Sequence, residues 1–436
     1  MAAVRDDMRL SGARCGWPQT LVVCVFSLLS LAGVRALADC DAYASYDAPS
    51  LAAPGTLAVG RRILTFEAPS AAARNGDAAP ARRLELIVWY PAAADGCPQA
   101  APYRQTLVRH AWRPLPAERV AFDVPAAAVA DAPIAGGARH PVVVMSHGLL
   151  GWASALTYLG EHLASRGYVV VAIDHQDELP TGLDPLKGAT AFRPLDQSAV
   201  IAALRRWSAD PGNFLHDRID PERIAIVGYS MGGYGAVRSA VAASSASVRG
   251  LRAVVAIAPF GGQSFVGAFD RADLAAISTP MLFIAGDHDD VSGFPDGVDT
   301  LYQSVAGAQR WMLVYENARH NIGGYPLPDF AREEPALQSF FIDPVWRVDR
   351  IQAVNRHFIT AFLDFTLKDD MSRRAYLEPP TPRSNDGQWP AKGGLDLSDP
   401  VADAASAPGF WPGFRRRSAL GLELRHLGPG QPDLKP

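Results

Sequence analysis

The stretch Arg223–Ala240, RIAIVGYSMGGYGAVRSA, sets one serine between glycines: Gly228-Tyr229-Ser230-Met231-Gly232, with Gly233 following. Four apolar residues lead into it and a small-residue helical pattern leads away. A strand passing through Gly-x-Ser-x-Gly into a helix turns so tightly that the residues beside the serine must lack bulk. The strain lifts the hydroxyl above the end of the strand. Gly228 and Gly232 meet that demand, and the free N–H groups of the helix start favour negative charge nearby. A nucleophilic serine fits this context. The alternative is a helix N-cap serine in an ordinary βα turn.

A serine hydroxyl is a weak nucleophile near neutral pH. It needs a base within hydrogen-bond reach and a third group to orient that base. His320 lies just beyond the apolar run Trp311–Tyr315, in Glu316-Asn317-Ala318-Arg319-His320-Asn321. Other histidines downstream of Ser230 fit less well: His288 comes too early, His357 falls within a helical pattern, and His426 lies near the C-terminus. The orienting acid is expected after Met281–Ala285, where Gly286-Asp287-His288-Asp289-Asp290-Val291 offers three aspartates. Acyl transfer also builds charge on the former carbonyl oxygen, which two fixed backbone N–H groups stabilise. Met231, after the nucleophile, supplies one. Ser146-His147-Gly148-Leu149-Leu150-Gly151, after the run Val142–Met145, supplies the other through Leu149. Gly148 lets that loop turn its amides inward, and His147 orients it without acting as the base.

Those residues need a scaffold. Apolar, β-branched runs recur at Leu84–Tyr90, Val142–Met145, Tyr168–Ile173, Ile224–Val227, Ala253–Ile257, Met281–Ala285 and Trp311–Tyr315. From Val142 onward they are continuously apolar, as strands covered on both faces are. Helical patterns separate or follow them at Ala153–Arg166, Leu195–Ser208 (just past Pro194), Met231–Ala243 and Asp349–Leu367. The alternation predicts an α/β fold, a mostly parallel doubly wound sheet with helices on both faces. Ligands of such sheets bind beyond the carboxyl ends of the strands, where every residue named above falls. The turn-rich stretch 174–195 follows a strand end and is expected to wall the pocket or form a small lid over a modest apolar group. Trp152 either lines that pocket or packs at a helix start.

The chain has 436 residues, 48% apolar and 20% charged, with 41 basic against 45 acidic side chains. That balance offers no electrostatic reason to expect nucleic acid or an acidic membrane as a partner. Near the N-terminus, Arg9 and Arg14 precede Leu21–Val34, an apolar run followed by Ala36-Leu37-Ala38. This is the pattern of a secretory leader cleaved before Asp39. The run falls short of the roughly 20 apolar residues of a membrane span. The expected organisation is a leader over 1–38, a catalytic domain over 39–376, and a Pro/Gly-rich extension over 377–436 that packs on the domain. The expected location is periplasmic or extracellular, with no stable membrane span after cleavage. Cys40 and Cys97 remain after cleavage, a pair that can bridge in an oxidising compartment or stay unpaired. The surface stretch Ala68–Ala81 reads as a loop. His, Cys and Asp do not cluster at metal-ligand spacing and no G-x-G-x-x-G follows a strand, so no metal or organic cofactor is expected.

Together, Ser146-His147-Gly148, Gly228-Tyr229-Ser230-Met231-Gly232-Gly233, Gly286-x-x-Asp289 and His320 resemble the α/β-hydrolase superfamily over roughly Leu84 to Leu367. Within it the chain resembles the secreted bacterial branch of predicted dienelactone hydrolases, similar to platelet-activating-factor acetylhydrolases. Arg193-Pro194-x-Asp196 and Asp174-His175 also fit that branch. True dienelactone hydrolases carry a cysteine nucleophile where this chain has Ser230, so lactone opening is not implied. Related hydrolases place the acid in a G-x-x-D loop, which points to Asp289, with Asp290 in reserve. The resemblance implies a serine hydrolase cleaving carboxylic esters of small molecules. An amidase or peptidase with the same triad, or a non-catalytic ligand-binding relative, are the alternatives.

Overall fold

Val142, Val143, Val144 and Met145 send alternate side chains to opposite faces of a strand, and both faces are covered. Val143 and Met145 join one apolar cluster with Leu156 and Leu159, while Val142 and Val144 join another with Val200, Leu204 and Ala236. The computed structural model describes residues 45–68, 82–93, 100–109, 118–175, 177, 185–245, 247–262, 268–387, 410–415 and 418–431. The leader 1–38, Cys40, Cys97, the loop 69–81 and the tail segment 388–409 lie outside the described residues.

Among the described residues, twelve strands run in chain order as β1 (Ala58–Ala68), β2 (Arg82–Ala92), β3 (Tyr103–Arg109), β4 (Glu118–Val124), β5 (Val129–Ala130) and β6 (His140–Ser146). They continue as β7 (Val169–Asp174), β8 (Ile219–Tyr229), β9 (Leu251–Ile257), β10 (Met281–Gly286), β11 (Arg310–Tyr315) and β12 (Leu422–Leu427). Ten form one sheet in the order β12-β11-β10-β9-β8-β6-β7-β2-β1-β5, and β3 and β4 pair separately. The six strands β7, β6, β8, β9, β10 and β11 are mutually parallel. Antiparallel partners flank that block, β2 beside β7 and β12 beside β11. The four longest helices are α1 (Thr157–Ser165), α2 (Pro185–Ala209), α3 (Met231–Ser244) and α4 (Val348–Leu367). Side chains of α1 and α4 cover one face, and those of α2 and α3 the other. This is the α/β-hydrolase fold, in agreement with the pattern of the sequence.

Two local expectations need correcting. The helix expected from Leu195 begins ten residues earlier and carries Pro194 inside it. An interior proline costs about 3 kcal/mol through its missing N–H and a ring clash. Ion pairs on both sides of it oppose that cost: Arg193 is bound to Asp177, and Asp196 to Arg82 and His175. Part of the turn-rich 174–195 stretch is therefore helical, and 178–184 lie outside the described residues. In the C-terminal extension, where Leu420–Leu424 reads as a strand-like run in the sequence, the strand extends instead from Leu422 to Leu427. Gly421, with φ 85°, makes the turn into it, and a Cβ there would press on the Trp346 ring. Phe410 is buried, Trp411 and Phe414 pack against Phe358 of α4, and His426 stacks on Trp311 of β11. Among the described residues no helix is long and apolar enough to cross a membrane.

Candidate active site

Ser230 sits between the end of β8 and the start of α3 with φ 53° and ψ −114°. Residues other than glycine avoid such positive φ, at a cost of roughly 1–3 kcal/mol. The surroundings hold it there. Ser230 N donates to Ile257 O (2.8 Å), and Phe260 N and Tyr234 N donate to Ser230 O (3.1 and 3.0 Å). A Cβ on Gly228 would lie 2.2 Å from Gly232 O, and one on Gly232 would lie 2.1 Å from Ser146 O. Both collisions are with backbone. The two glycines thus let the elbow close on itself and dock against the end of β6.

The loops after β10 and β11 are braced together. Gly286 lies so close to the carbonyls of Ala318 and Arg319 that a Cβ would sit 2.4 Å from each, and His288 N donates to Ala318 O (2.9 Å). That brace sets His320 between two partners. Its Nε2 is 3.0 Å from Ser230 Oγ, and its Nδ1 is 2.8 and 3.0 Å from Asp289 Oδ2 and Oδ1. A carboxylate at Nδ1 keeps the proton on that nitrogen and leaves Nε2 to accept from the serine. Asp289 Oδ1 also accepts from Val291 N and Ser292 N (2.9 and 2.8 Å). Burial alone would raise the Asp289 carboxyl, but the hydrogen bond and charge of His320, with the two amides, more than offset it. Its pKa falls below the ordinary value. Tyr229 Oη donates to His320 O (3.1 Å), fixing the histidine backbone from the elbow itself.

The neighbouring acids point elsewhere. Asp290 is exposed and pairs with Arg319. Asp287 accepts from Asn317 N and pairs with the exposed His288. His357 is a buried residue of α4 itself, accepting from Leu51 N. The geometry therefore brings together Ser230, His320 and Asp289, and leaves Asp290 outside.

The loop after β6 lies against the elbow: a Cβ on Gly148 would come 3.5 Å from Ser230 Cβ. Gly148 N donates to Tyr325 Oη (2.7 Å) and Leu150 N to Asp177 Oδ2 (2.9 Å). Neither the Leu149 amide nor that of Met231, the first residue of α3, has an acceptor among the described residues. His147 accepts at Nε2 from His175 N (3.0 Å), so its proton is on Nδ1, which donates to Gly148 O (2.7 Å). Burial, then the Arg193 charge, drives His147 far below the ordinary imidazole pKa, so the ring is neutral. Trp152 is 2% exposed and packs edge-on against Phe122, with Tyr325 and Phe341 also in contact. Of the two roles weighed for it, the structure gives the packing one.

The PET hydrolase-like family model matches residues 128–367, more than half of the chain. The chain belongs to the PET hydrolase-like family. Curated relatives include cutinase est1 of Thermobifida alba, 29% identical over 42% of this chain and 53% of that protein. Lipase 1 of Moraxella sp. (strain TA144) is 24% identical over 48% of this chain and 58% of that protein. Cutinase 1 of Thermobifida cellulosilytica is 25% identical over 47% and 69%. The chain spans about half the length of the first curated relatives it matches.

This PET hydrolase-like chain carries functional-site neighbours that spacing alone does not reveal. Ser146 Oγ is 2.8 Å from His175 Nε2, and His175 Nδ1 is 2.8 Å from Asp196 Oδ2. These are the same three residue types in the same hydrogen-bonded order as Ser230, His320 and Asp289. The difference is access: Ser146, His175 and Asp196 are all 3% exposed or less. Burial, then the Arg193 and Arg82 charges, drives His175 to its neutral form. Ser146 is closed off from solvent, so this second hydrogen-bonded trio is structural. In the sequence, Asp174-His175 and Arg193-x-x-Asp196 served only as marks of a branch, and Tyr325 carried no signal at all. Among the described residues no group of three or more His, Cys, Asp or Glu side chains could hold a metal ion.

Proposed function

We propose that this chain hydrolyses carboxylic esters through an acyl-enzyme on Ser230. The observation that carries the reading is the continuous hydrogen-bonded chain Ser230 Oγ, His320 Nε2, His320 Nδ1, Asp289 Oδ2, at 3.0 and 2.8 Å. His320 takes the serine proton as Oγ attacks the ester carbonyl. Asp289 holds the required tautomer and stabilises the imidazolium that forms. The Leu149 and Met231 amides receive the oxyanion, a contribution of several kcal/mol when donors are fixed in advance. The tetrahedral intermediate collapses, His320 returns the proton to the departing alcohol, and the acyl group stays on Ser230. A water molecule, deprotonated by His320, repeats the addition and releases the acid. Each half-reaction returns the groups to their starting protonation.

The family name and the cutinases and lipase among the relatives favour esters over amides, and bring polyesters into the substrate class to be tested. Export to the periplasm or medium belongs to the same proposal and rests on the leader pattern of Leu21–Val34. The decisive assay offers p-nitrophenyl esters graded in acyl length, a polyester film and an aminoacyl anilide to the wild type and to Ser230→Ala. Ester turnover lost in Ser230→Ala supports the reading. Turnover of the anilide alone, or full ester turnover by Ser230→Ala, would overturn it.

A further inference from the structure

We propose that Arg193 is a positioning residue for the oxyanion site, holding the backbone of residues 147–150 so that the Leu149 N–H faces Ser230. The inference rests on the acyl-enzyme reading above. Arg193 lies in α2, fully buried, and reaches back under the loop after β6. Its Nη1 donates to His147 O, and its Nη2 donates to Gly148 O at 3.0 Å. His147 Nδ1 donates to the same Gly148 oxygen at 2.7 Å.

Peptide geometry converts those contacts into a direction. In a trans peptide the C=O and the following N–H point opposite ways. With Gly148 O drawn toward the guanidinium, the Leu149 N–H must point away from it. With His147 O drawn the same way, the Gly148 N–H also points away, where it meets Tyr325 Oη at 2.7 Å. Tyr325 follows His320 in the loop that carries the base, and Gly148 packs within reach of Ser230 Cβ. The turned-out face of the loop is thus the face toward the nucleophile.

The third peptide is held through Asp177. Its carboxylate binds Arg193 Nε (3.1 Å) and Nη2 (2.5 Å) and accepts from Leu150 N (2.9 Å). Leu150 has φ 58°, a strained value for a branched residue, so the loop does not hold this shape by local preference. One planar guanidinium, presenting donors in a fixed fork, thereby pins two carbonyls directly and a strained amide through its counter-ion. Lysine cannot reproduce the fork.

The test uses the purified full chain, with Arg193→Lys and Tyr325→Phe. Activity on p-nitrophenyl butyrate is compared with inhibition by butylboronic acid, whose adduct on Ser230 puts an oxygen where the oxyanion forms. Removing one oxyanion donor costs about 10²- to 10³-fold in kcat. Misdirecting a donor that remains is expected to cost Arg193→Lys about ten- to hundredfold in kcat, with a matching loss of boronate affinity and KM changed less than twofold. Tyr325→Phe removes only a hydroxyl and is expected to lose about three- to tenfold in both, at an unchanged melting profile. If Arg193→Lys does not fold, Asp177→Asn, which breaks the two-oxygen grip of the carboxylate on Arg193, takes its place with the same expected losses. Variants that keep kcat and boronate affinity within twofold, or whose KM rises as kcat falls, would overturn the positioning role. A wild type that is not silenced by Ser230→Ala would instead overturn the acyl-enzyme reading beneath it.

Discussion

Replacing Asp289 by asparagine separates orientation of the base from the packing around it. Asp289 Oδ1 accepts from Val291 N and Ser292 N, so an asparagine keeps its oxygen at that position. Its NH2 then occupies the place of Oδ2, 2.8 Å from His320 Nδ1. Two donors cannot share that hydrogen bond. His320 must turn its lone pair to Nδ1 and carry its proton on Nε2, facing Ser230 Oγ with a donor where an acceptor is needed. Loss of the tautomer and of the carboxylate charge is worth about 10⁴-fold in kcat, or about 5.5 kcal/mol. Asp290→Asn is the control. That side chain and its partner Arg319 are both nearly half exposed, and such a pair contributes about 1 kcal/mol or less to stability. Its kcat is expected to stay within twofold of wild type. Initial rates on p-nitrophenyl butyrate at neutral pH, with thermal unfolding of both variants, provide the comparison. Asp289→Asn with more than a tenth of wild-type kcat, or Asp290→Asn as impaired as Asp289→Asn, would refute the reasoning.

Three further outcomes follow from the same structure. Gly232→Ala puts a methyl group 2.1 Å from the Ser146 carbonyl, backbone against backbone; soluble yield or kcat should fall at least a hundredfold, and a folded, fully active variant would contradict that packing. His357 is pushed down to about 3, first by burial and then by the Arg166 and Arg373 charges. The unfolded chain therefore takes up a proton below about pH 6.5 that the native state refuses, and stability is lost as pH falls from there toward 3, by about 1.4 kcal/mol per unit for this one group. His357→Gln should flatten the melting temperature against pH between 6.5 and 4, and parallel curves for the two proteins would dismiss the idea. Asp174 is pushed up to about 7 by burial and then by Glu85, which faces it across the β2–β7 pair. The native state then holds a proton that the unfolded chain has released, so stability declines as pH rises from about 4 to 7; Asp174→Asn should melt higher than wild type at pH 8, and a lower melting point there would count against the account.

The sequence by itself determined the sheet and its chemistry-bearing edge. Continuous apolar runs alternating with helical patterns are what strands of a covered parallel sheet look like. Glycines on either side of Ser230 remove bulk from a strand-to-helix turn, so the place of that elbow was legible in the sequence. The resemblance to hydrolases with a G-x-x-D loop put Asp289 ahead of Asp290, but position along a loop does not fix where a side chain points. What turns Asp289 inward is His320, 31 residues away, and what turns Asp290 outward is Arg319, 29 residues away, contacts between segments that close only in the folded state. The same holds for Pro194, which reads locally as a helix boundary yet lies inside α2 because Asp177, Arg82 and His175 hold the residues around it. Arg193 and Tyr325 lie 46 and 177 residues from the peptides they bind. Periodicity and turn preference act over a few neighbouring residues, whereas a hydrogen bond is indifferent to the length of chain between its partners. Only the tertiary structure could therefore bring these groups to the loop that carries Leu149.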